Sequence, residues 1–384
     1  MHIVQVAPPW YPIPPVGYGG IERVVFDLTE GLVAAGHQVT LFAPHGSRSS
    51  ARLIETTAPV GLDLSDEEKT DHFMTNGRRS YEMAARLGAD IVHDHTDYSP
   101  DPEFPLPIVR TIHGPAVEYH VAMYQAMSRR GDHFVAISER QRVLFEEAAA
   151  RQFGPGEQIR FAGVVYNPID VASTPFFPSS ARRGYAAFLG RCHWEKDPAA
   201  AVRIAVAAGV PLKMALRVTD QEQPYFEEVV RPAIDAAGGL VEFLGEVDGA
   251  DKSALIGHAS AVIFPSPWEE PFGLVMIEAA AHGTPVVALR RGAAPEIVED
   301  GVTGYLCADE AEMVAALPRA MTLDPGAGRS LMVERFDRPV IARRQLEVYE
   351  SILGGVTAPD DLNRQGAEIA GLDRHADQAA RGGG

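Results

Sequence analysis

Short apolar runs rich in β-branched residues alternate along the chain with longer segments whose apolar residues recur at helical spacing. This alternation is typical of βαβ units, in which helices connect the parallel strands of one sheet. A helix is expected over Ile21–Ala35, after the first strand, because Gly36 marks its end. In the first part of the chain the pattern predicts strands at Ile3–Val6, Val39–Phe42, Asp90–His93, Ile108–Ile112, Phe134–Ile137 and Ile159–Tyr166.

The periodic pattern stops between residues 167 and 184, where Asn-Pro, Thr-Pro and Phe-Pro steps follow one another. We place a domain linker there. The alternation then restarts, with strands expected at Tyr185–Leu189, Leu212–Leu216, Val241–Leu244, Ala261–Phe264 and Val286–Leu289. The pattern therefore predicts an α/β protein of two doubly wound Rossmann-like domains, residues 1–168 and 184–335. The periodicity predicts a terminal helix at Val340–Leu353, within the segment 336–353. The tail at 354–384, which is poor in large apolar residues, is expected to be disordered.

Composition narrows the function more than the fold. Hydrophobic residues make up 46% and charged residues 22% of the 384 residues, as in globular proteins. The net charge of −18 argues against nucleic acid and anionic lipid as partners, because both carry negative phosphates. The two cysteines are too few for a disulfide framework, and no apolar run approaches the length of a membrane span. We expect a cytoplasmic protein without an integral membrane segment.

A glycine-rich turn follows the first predicted strand and includes Gly19 and Gly20. Backbone N–H groups and a helix dipole at such a turn can receive an anionic oxygen, although a merely flexible turn has the same sequence. A nicotinamide dinucleotide is disfavoured. Glu22 occupies a position where its fingerprint requires glycine, and the second strand does not end in an acid.

Two cations, Arg191 and Lys196, follow the first strand of the second domain. Fixed cations at a strand end can clamp a pyrophosphate and stabilise its charge as it leaves. The alternative is an ordinary solvated loop in which Glu195 pairs with a cation. The residues alone leave both interpretations open.

The segment from Pro265 to Ala279 is the most distinctive in the chain. Pro271 is expected in the first turn of a helix, so that the amides of Phe272, Gly273 and Leu274 become unpaired donors for an anion. Glu278 lies among apolar residues of that helix, where a carboxylate needs a partner. Its spacing from Glu270 favours a polyol ligand with paired hydroxyls; a salt bridge to a nearby arginine is the alternative.

Histidines form a second candidate group. His113 ends a predicted strand before a Gly-Pro turn, which places its imidazole at the mouth of a ligand crevice; a structural hydrogen bond is the alternative. His93 and His95 are alternate residues that share one face of a strand, as two metal ligands would. No third and fourth ligand at metal spacing is present, so we expect no metal site.

Four motifs together resemble glycosyltransferase family 4. They are Gly-Tyr-Gly-Gly-Ile-Glu at 17–22, Thr-Ile-His-Gly at 111–114, Gly-Arg-x4-Lys at 190–196 and Glu-Pro-Phe-Gly-Leu-x3-Glu-Ala at 270–279, with further matches at 283–288 and 295–304. The likeness runs through residues 1–353 in order. It implies a GT-B fold, in which two Rossmann-like domains face each other across a cleft and the terminal helix packs back on the first domain.

The resemblance also assigns roles. Arg191 and Lys196 would neutralise the donor diphosphate, and His113 would lie beside the transferred sugar near its anomeric carbon. Glu270 would hold a hydroxyl of that sugar and Glu278 the ribose hydroxyls. The backbone expected to approach the donor belongs to Gly19, Gly20, Phe272, Gly273 and Leu274.

The implied activity is that of a retaining hexosyltransferase that moves a sugar from a nucleotide-sugar donor, a UDP-sugar, to an acceptor hydroxyl without a metal or other cofactor. Two departures from the family pattern concern linker motion and base recognition: Asn167 is followed by Pro168 rather than glycine, and a glycine-rich turn is replaced by residues 215–218. The alternatives are a sugar-nucleotide epimerase, a non-catalytic nucleotide-sugar-binding protein, and a metal hydrolase built on His93 and His95. Donor sugar, acceptor and oligomeric state are not encoded in any motif we recognise.

Overall fold

Two parallel β-sheets organise the chain, whose computed structural model describes residues 1–60, 64–154, 156 and 159–355. The first unit comprises Met1–Pro15, Gly20–Pro168 and the segment from Arg338 onwards. The second comprises Val16–Gly19 and Ile169–Asp337. Beyond residues 354 and 355, the tail expected to be disordered lies outside the described residues.

The first unit contains a seven-stranded sheet in which every pairing is parallel. Its strands are β1 (His2–Val6), β2 (Gln38–Ala43), β3 (Arg52–Glu55), β4 (Ile91–Asp94), β5 (Ile108–Ile112), β6 (His133–Ala136) and β7 (Phe161–Val164). Their order across the sheet is β3-β2-β1-β4-β5-β6-β7. The direction of winding reverses between β1 and β4. In open α/β sheets, ligands bind beyond the carboxyl ends of the strands at such a point.

Four helices connect the strands of this sheet, and their ends follow from local chemistry. They are α1 (Gly20–Ala34), α2 (Asp66–Ala84), α3 (Glu118–Arg129) and α4 (Glu139–Phe153). Ser65 and Glu68 form a capping box at the start of α2, and the Ser138 side chain caps α4. These caps satisfy amides that have no partner within the helix.

The second unit contains a six-stranded sheet, again with only parallel pairings. Its strands are β8 (Ala186–Arg191), β9 (Leu212–Arg217), β10 (Val241–Gly245), β11 (Ala261–Phe264), β12 (Val286–Leu289) and β13 (Gly304–Cys307). The order is β10-β9-β8-β11-β12-β13, so the winding reverses between β8 and β11. This unit therefore has its own crevice, at the carboxyl ends of those two strands.

The second unit also contains helices between and after its strands. They are α5 (Pro198–Ala208), α6 (Gln223–Tyr225), α7 (Arg231–Ala236), α8 (Gly249–Gly257), α9 (Leu274–His282), α10 (Ala294–Ile297), α11 (Glu310–Ala320) and α12 (Pro325–Arg335). A π-helical turn, Phe226–Val230, joins α6 to α7, and single 3₁₀ turns lie at Ser179–Ala181 and Gly238–Leu240. The helix α13 (Arg338–Leu353) ends the described chain and belongs to the first unit.

Helix α13 packs closely on α1. At Gly31 an added Cβ would lie 2.9 Å from both Ala342 Cβ and Arg338 Cγ, so only glycine permits this approach. Arg338 donates to Asp27 Oδ1 at 2.5 Å across the same contact. Tyr349, fully buried, projects from α13 toward the first sheet. The helix begins two residues earlier than the periodicity indicates.

Two strands escape prediction for the same reason. β3 and β13 are four residues long and lie at the outer edges of their sheets, and each contains half-exposed residues. A short edge strand need not show a continuous apolar run or a long alternation, although the other two edge strands, β7 and β10, are predicted from the sequence. Among the described residues, every helix is too short or too polar to cross a lipid bilayer.

Candidate active site

At the switch point of the first sheet, polar side chains share one face. The register pairs Gln5 of β1 with His93 of β4. Alternation along a strand places His95 on the same side as His93, and the contacts below show that Thr111 and His113 lie there too. The H-x-H pattern thus marks a real common face. Its histidines contact other side chains of the unit.

Each ring nitrogen of the two strand histidines has a protein partner. His93 contacts the Tyr349 hydroxyl through Nδ1 at 2.6 Å and the Thr111 hydroxyl through Nε2 at 2.7 Å. His95 contacts Gln5 Oε1 through Nε2 at 2.8 Å and His113 Nε2 through Nδ1 at 3.1 Å. Among the described residues, no group of three or more His, Cys, Asp or Glu side chains is arranged to hold a metal ion.

Burial keeps these imidazoles neutral. It lowers the pKa of His93 to about 3, with a smaller effect of His113, and lowers the pKa of His113 to about 4. The pKa of His95 also falls well below its ordinary value because of burial and the two neighbouring rings. At neutral pH each ring therefore carries one donor and one acceptor nitrogen.

The opposite face of the same strands carries a buried ion pair. Arg110 of β5 lies in register with Asp94 of β4, and its guanidinium donates to that carboxylate. The guanidinium Nε donates to Asp132 at 2.7 Å, and the Tyr81 hydroxyl donates to Asp94 at 2.7 Å. Charge in this part of the first unit thus lies on the far side of the sheet from the histidines.

In the second unit, the loops after β8 and β11 bring a cation and a carboxylate together. The Lys196 ammonium donates to Glu270 Oε2, and the Trp268 indole N–H donates to the same oxygen at 2.9 Å. The Ser266 hydroxyl donates to the Glu195 carbonyl at 2.7 Å and ties the two loops together.

A third loop fixes the backbone of Glu270. An added Cβ at Gly292, where φ is +55°, would lie 2.4 Å from the Glu270 nitrogen. Ala293 donates its amide to the Glu270 carbonyl at 2.9 Å. The carboxylate is thus positioned by packing around its main chain as well as by its ion pair. Asp197, which follows Lys196 directly, adopts a positive φ of 43° that is unfavourable for a residue other than glycine.

Arg191 also has acidic partners. Its guanidinium lies 2.9 Å from Glu195 Oε2 and 3.7 Å from Glu222 Oε1. The ordinary-loop interpretation expected the pairing with Glu195. If Arg191 binds a diphosphate, it must do so while it is paired with Glu195. Glu222 comes from the loop after β9 and had no signal in the sequence.

The helix after the β11 loop begins later than the sequence suggested. Pro271 precedes the first helical turn, because α9 starts at Leu274 with Gly273 as its N-cap at φ +91°. Phe272 is buried before the helix and packs against Phe336 at 6.1 Å between ring centroids. Of the three amides expected to bind an anion, that of Leu274 lies in the helix, and those of Phe272 and Gly273 precede it. No side chain caps this helix start.

Glu278 is paired with a lysine of a neighbouring helix. Lys252 of α8 donates to Glu278 Oε1 at 2.6 Å. Both side chains remain partly exposed, with relative exposures of 36% and 24%. A ribose ligand would therefore meet a carboxylate that already has a cation beside it. Nothing in the local sequence of α9 indicates Lys252, since the pair joins two helices.

The glycine-rich turn is divided between the two units. Gly19, with φ +149°, groups with the second unit, whereas Gly20 is the first residue of α1 in the first unit. Glu22 lies in the first turn of α1 and is buried. Burial raises the pKa of its carboxyl to about 7.

Two family models together match most of the chain. The model for glycosyltransferase family 4 matches residues 18–173, and the model for glycosyl transferases group 1 matches residues 186–322. The chain belongs to glycosyltransferase family 4. Of the function classes left open by the sequence, the comparisons support the transferase.

Relatives of this family 4 glycosyltransferase match over nearly their full length. It is 29% identical to a glycogen synthase of Mycobacterium tuberculosis, over 94% of this chain and 97% of that protein. It is 26% identical to a phosphatidyl-myo-inositol mannosyltransferase of Mycolicibacterium smegmatis, over 92% and 95%. The names of these two enzymes refer to different molecules, glycogen and phosphatidyl-myo-inositol.

Solved structures agree on the fold. The chain resembles AviGT4, a glycosyltransferase involved in avilamycin A biosynthesis, with a TM-score of 0.66 and 25% identity over 94% of this chain and all of that one. It resembles HepE of Anabaena, solved in complex with UDP and glucose, with a TM-score of 0.66 and 20% identity over 91% of this chain and all of that one. The fold of this family 4 glycosyltransferase is GT-B, as the motifs implied.

The structure divides the expected site residues between the units. His113 lies with the strand histidines of the first unit, whereas Arg191, Lys196, Glu270 and Glu278 belong to the second. Within the second unit, Lys196 and Glu270 are in direct contact, while Arg191 and Glu278 have separate acidic and basic partners. The common cleft stays a prediction. In this family 4 enzyme, sequence reasoning missed Gln5, Glu222, Lys252 and Tyr349, which act through contacts between distant segments.

Proposed function

We propose that this family 4 glycosyltransferase is a retaining hexosyltransferase that moves a sugar from a UDP-sugar to an acceptor hydroxyl without a metal. The observation that carries the proposal is the contact between Lys196 and Glu270 at the switch point of the second sheet. An ammonium can bind a phosphate oxygen, and the carboxylate beside it can accept hydrogen bonds from sugar hydroxyls. A nucleotide sugar carries the matching groups, a phosphate and hydroxyls, on one sugar ring.

The charge of the leaving diphosphate is the main demand of the reaction. An ammonium has three donors, so Lys196 can keep its bond to Glu270 and still donate to a phosphate oxygen. Arg191, which is 35% exposed, has guanidinium N–H groups beyond those used by its acidic partners. The uncapped start of α9 adds amide donors and the positive end of a helix dipole. These groups supply the stabilisation for which other transferases use a metal.

Retention follows if the acceptor attacks from the side that the diphosphate leaves. The bond between the anomeric carbon and the phosphate oxygen breaks as the bond to the acceptor oxygen forms, and the acceptor proton passes to the departing phosphate. Glu270 is assigned to a sugar hydroxyl rather than to nucleophilic attack, because one oxygen already accepts from Lys196 and Trp268.

The remaining roles follow the family motifs. We assign His113 to the transferred sugar and Glu278 to the ribose, with the Lys252 ammonium beside that carboxylate. Gly19 and Gly20 leave room for phosphate near the start of α1. UDP is the proposed nucleotide because HepE was solved with UDP and glucose. The cytoplasm is the proposed compartment, since Cys192 and Cys307 are both free and buried.

A donor screen tests this proposal. UDP-, ADP- and GDP-hexoses are compared by thermal shift in the presence of EDTA, where a donor at a hundredfold excess over its dissociation constant stabilises by about 2.7 kcal/mol. We expect a UDP-hexose to give the largest shift. Proton NMR of the product formed from an α-linked donor should then show an α-linkage.

Two outcomes would contradict the proposal. A β-linked product would exclude retention, and activity that disappears with EDTA and returns with a divalent cation would exclude the metal-free mechanism. Preference for an ADP- or GDP-sugar would change only the nucleotide. Lys213→Ala is a suitable control for replacing Lys196. Lys213 pairs with Glu242 on β9 and β10, away from the loops that carry Lys196 and Glu270.

A further inference from the structure

His93 and His95 have no role in the proposed reaction, yet they lie beside His113. The three imidazole rings lie side by side, with ring centroids 4.2 Å apart for His93 and His95 and 5.3 Å apart for His95 and His113. The Gln5 amide contacts two members of the group. We name Gln5, His93, His95, His113 and Tyr349 the imidazole cluster.

The Gln5 amide sets the direction of every hydrogen bond in the cluster. Its nitrogen donates to the Tyr349 hydroxyl at 3.2 Å and faces His93 Nδ1 at 3.4 Å. Its oxygen faces His95 Nε2 at 2.8 Å. Because a carbonyl oxygen only accepts, the proton of neutral His95 is on Nε2.

The same reasoning then fixes the next ring. With its proton on Nε2, His95 offers Nδ1 as an acceptor. This nitrogen lies 3.1 Å from His113 Nε2, so His113 is the donor. Its single proton is on Nε2, and Nδ1 is left with a lone pair. The structure records no protein partner for His113 Nδ1 among the residues it describes.

On the His93 side the directions agree. The Tyr349 hydroxyl donates to His93 Nδ1, which makes Nε2 the donor to the Thr111 hydroxyl. No position in the cluster requires two donors or two acceptors to face each other. Thr111 is half-buried, and its hydroxyl can rotate to accept.

We propose that Gln5 and His95 are positioning residues that hold His113 as its Nε2–H tautomer and so present Nδ1 as a hydrogen-bond acceptor. The acceptor would receive a hydroxyl of the transferred sugar, and this part rests on the proposed function. A hydroxyl can donate to Nδ1 only in this tautomer. The reversed tautomer would meet the sugar with an N–H donor and would favour a different orientation of the hydroxyl.

The charges around the cluster support a neutral ring. Asp94 lies on the opposite face of β4 and is bonded to Arg110, so no described carboxylate bonds to an imidazole of the cluster. Burial and the neighbouring rings lower the pKa of His95 and His113. Both rings accordingly remain single-proton donors at the pH where a transferase operates.

The first experiment measures the tautomer without any activity. Long-range ¹H–¹⁵N correlation spectra of the ¹⁵N-histidine protein at pH 7 distinguish protonated from unprotonated ring nitrogens, and the signals missing from His113→Ala identify the residue. We expect His113 to be protonated on Nε2 alone. A proton on Nδ1 alone, or on both nitrogens, would overturn the proposal.

The second experiment uses a matched pair of variants. His95→Asn places an amide oxygen where Nδ1 of the imidazole lies and keeps an acceptor for His113, whereas His95→Leu removes it. We expect His95→Leu to lower kcat/KM for the donor about tenfold and to mix the His113 tautomers, because one hydrogen bond is lost. His95→Asn should stay within about threefold of the parent and keep the tautomer. Equal losses in both variants, with an unchanged tautomer, would show a merely structural role.

Two controls separate this inference from the proposed function. Thr111→Val removes the contact to His93 but leaves the His95–His113 bond, so kcat/KM should change little. If His113→Ala retains full activity while wild-type His113 is the Nε2–H tautomer, the role of His113 in sugar binding fails but the positioning by His95 stands. If the tautomer is wrong while His113→Ala is inactive, the reverse holds.

Discussion

The switch points of the two sheets hold polar groups in opposite ways. In the first unit, the imidazole cluster consists of neutral side chains joined by hydrogen bonds. In the second unit, the corresponding loops carry ion pairs, Lys196 with Glu270 and Arg191 with Glu195. The same βαβ architecture thus presents neutral donors and acceptors at one crevice and fixed charges at the other.

This difference matches the two chemical parts of a nucleotide sugar. A diphosphate carries charge that grows during the reaction and needs cations, whereas sugar hydroxyls are neutral and need oriented donors and acceptors. Where the first unit does place charges near these strands, on Arg110, Asp94 and Asp132, they are buried on the other face of the sheet. We expect those charges to act on stability and the charges of the second unit on catalysis.

Replacing Arg110 tests whether the buried charges of the first unit stabilise the fold. Arg110→Met leaves Asp94 and Asp132 without their cation in a buried site, which we expect to lower the free energy of unfolding by about 3–5 kcal/mol. Urea unfolding measures the change. Arg203→Met is the control, because Arg203 pairs with Glu310 at the surface with half of its side chain exposed, and a change below about 1 kcal/mol is expected. Similar losses in both variants would refute a special role for the buried pair.

Replacing Lys196 tests the catalytic side. Lys196→Ala removes a cation from the proposed diphosphate site, and we expect kcat to fall about 10²–10³-fold, the scale of one lost electrostatic donor. Steady-state kinetics with the donor that binds best measures the change. Lys213→Ala removes an equal charge from the same unit and should leave kcat within about twofold of the parent. If both variants lose activity equally, the effect comes from net charge and not from the site.

The sequence predicts the buried central strands of both sheets better than it predicts edge strands and helix ends. The alternation of apolar runs and helical periods predicts the two parallel sheets, because central strands are buried on both sides. It fails at β3 and β13, two of the four edge strands, and at Pro271, which looks like a helix start but precedes Gly273 and the first residue of α9. Proline propensity marks the loop, whereas the helix begins only after Gly273, whose φ is +91°.

The sequence predicts which loops carry the candidate site residues, but not which side chains contact them. Motifs point to the segments that carry Lys196 and Glu270, but nothing local reveals that the two residues pair with each other. Lys252 reaches Glu278 from another helix, and Tyr349 reaches His93 from 256 residues away. Such contacts depend on the register of the sheet and the docking of helices, which no short pattern contains.

Glu22 is a buried carboxyl of the first unit whose charge depends on pH. Its carboxyl is buried in the first turn of α1, and burial raises its pKa from 4.5 to about 7. Between these values the folded protein binds a proton that the unfolded chain has lost, so the free energy of unfolding falls as the pH rises through this window. We expect Glu22→Gln to remove about 3 kcal/mol of that fall.

The measurement is urea unfolding of the parent and Glu22→Gln at pH 5 and pH 8.5. The variant should gain most at pH 8.5, where the parent must bury a charged carboxylate. Glu67→Gln, at an exposed position in the first turn of α2, should show the same difference from the parent at both pH values. A gain for Glu22→Gln that does not depend on pH would mean that the carboxyl is not titrating in this range.

The smallest effect concerns the hydroxyl that joins α13 to the imidazole cluster. Tyr349→Phe keeps the ring but removes the hydrogen bonds to His93 Nδ1 and from Gln5, which we expect to lower the free energy of unfolding by about 1 kcal/mol. Tyr119→Phe, with a ring that is 73% exposed, is the control and should change stability by less than about 0.5 kcal/mol. Because Gln5 Oε1 still faces His95, activity should remain near that of the parent. A large loss of activity at unchanged stability would instead place Tyr349 and His93 within the orienting chain, which would then run through all three imidazoles rather than from Gln5 through His95 alone.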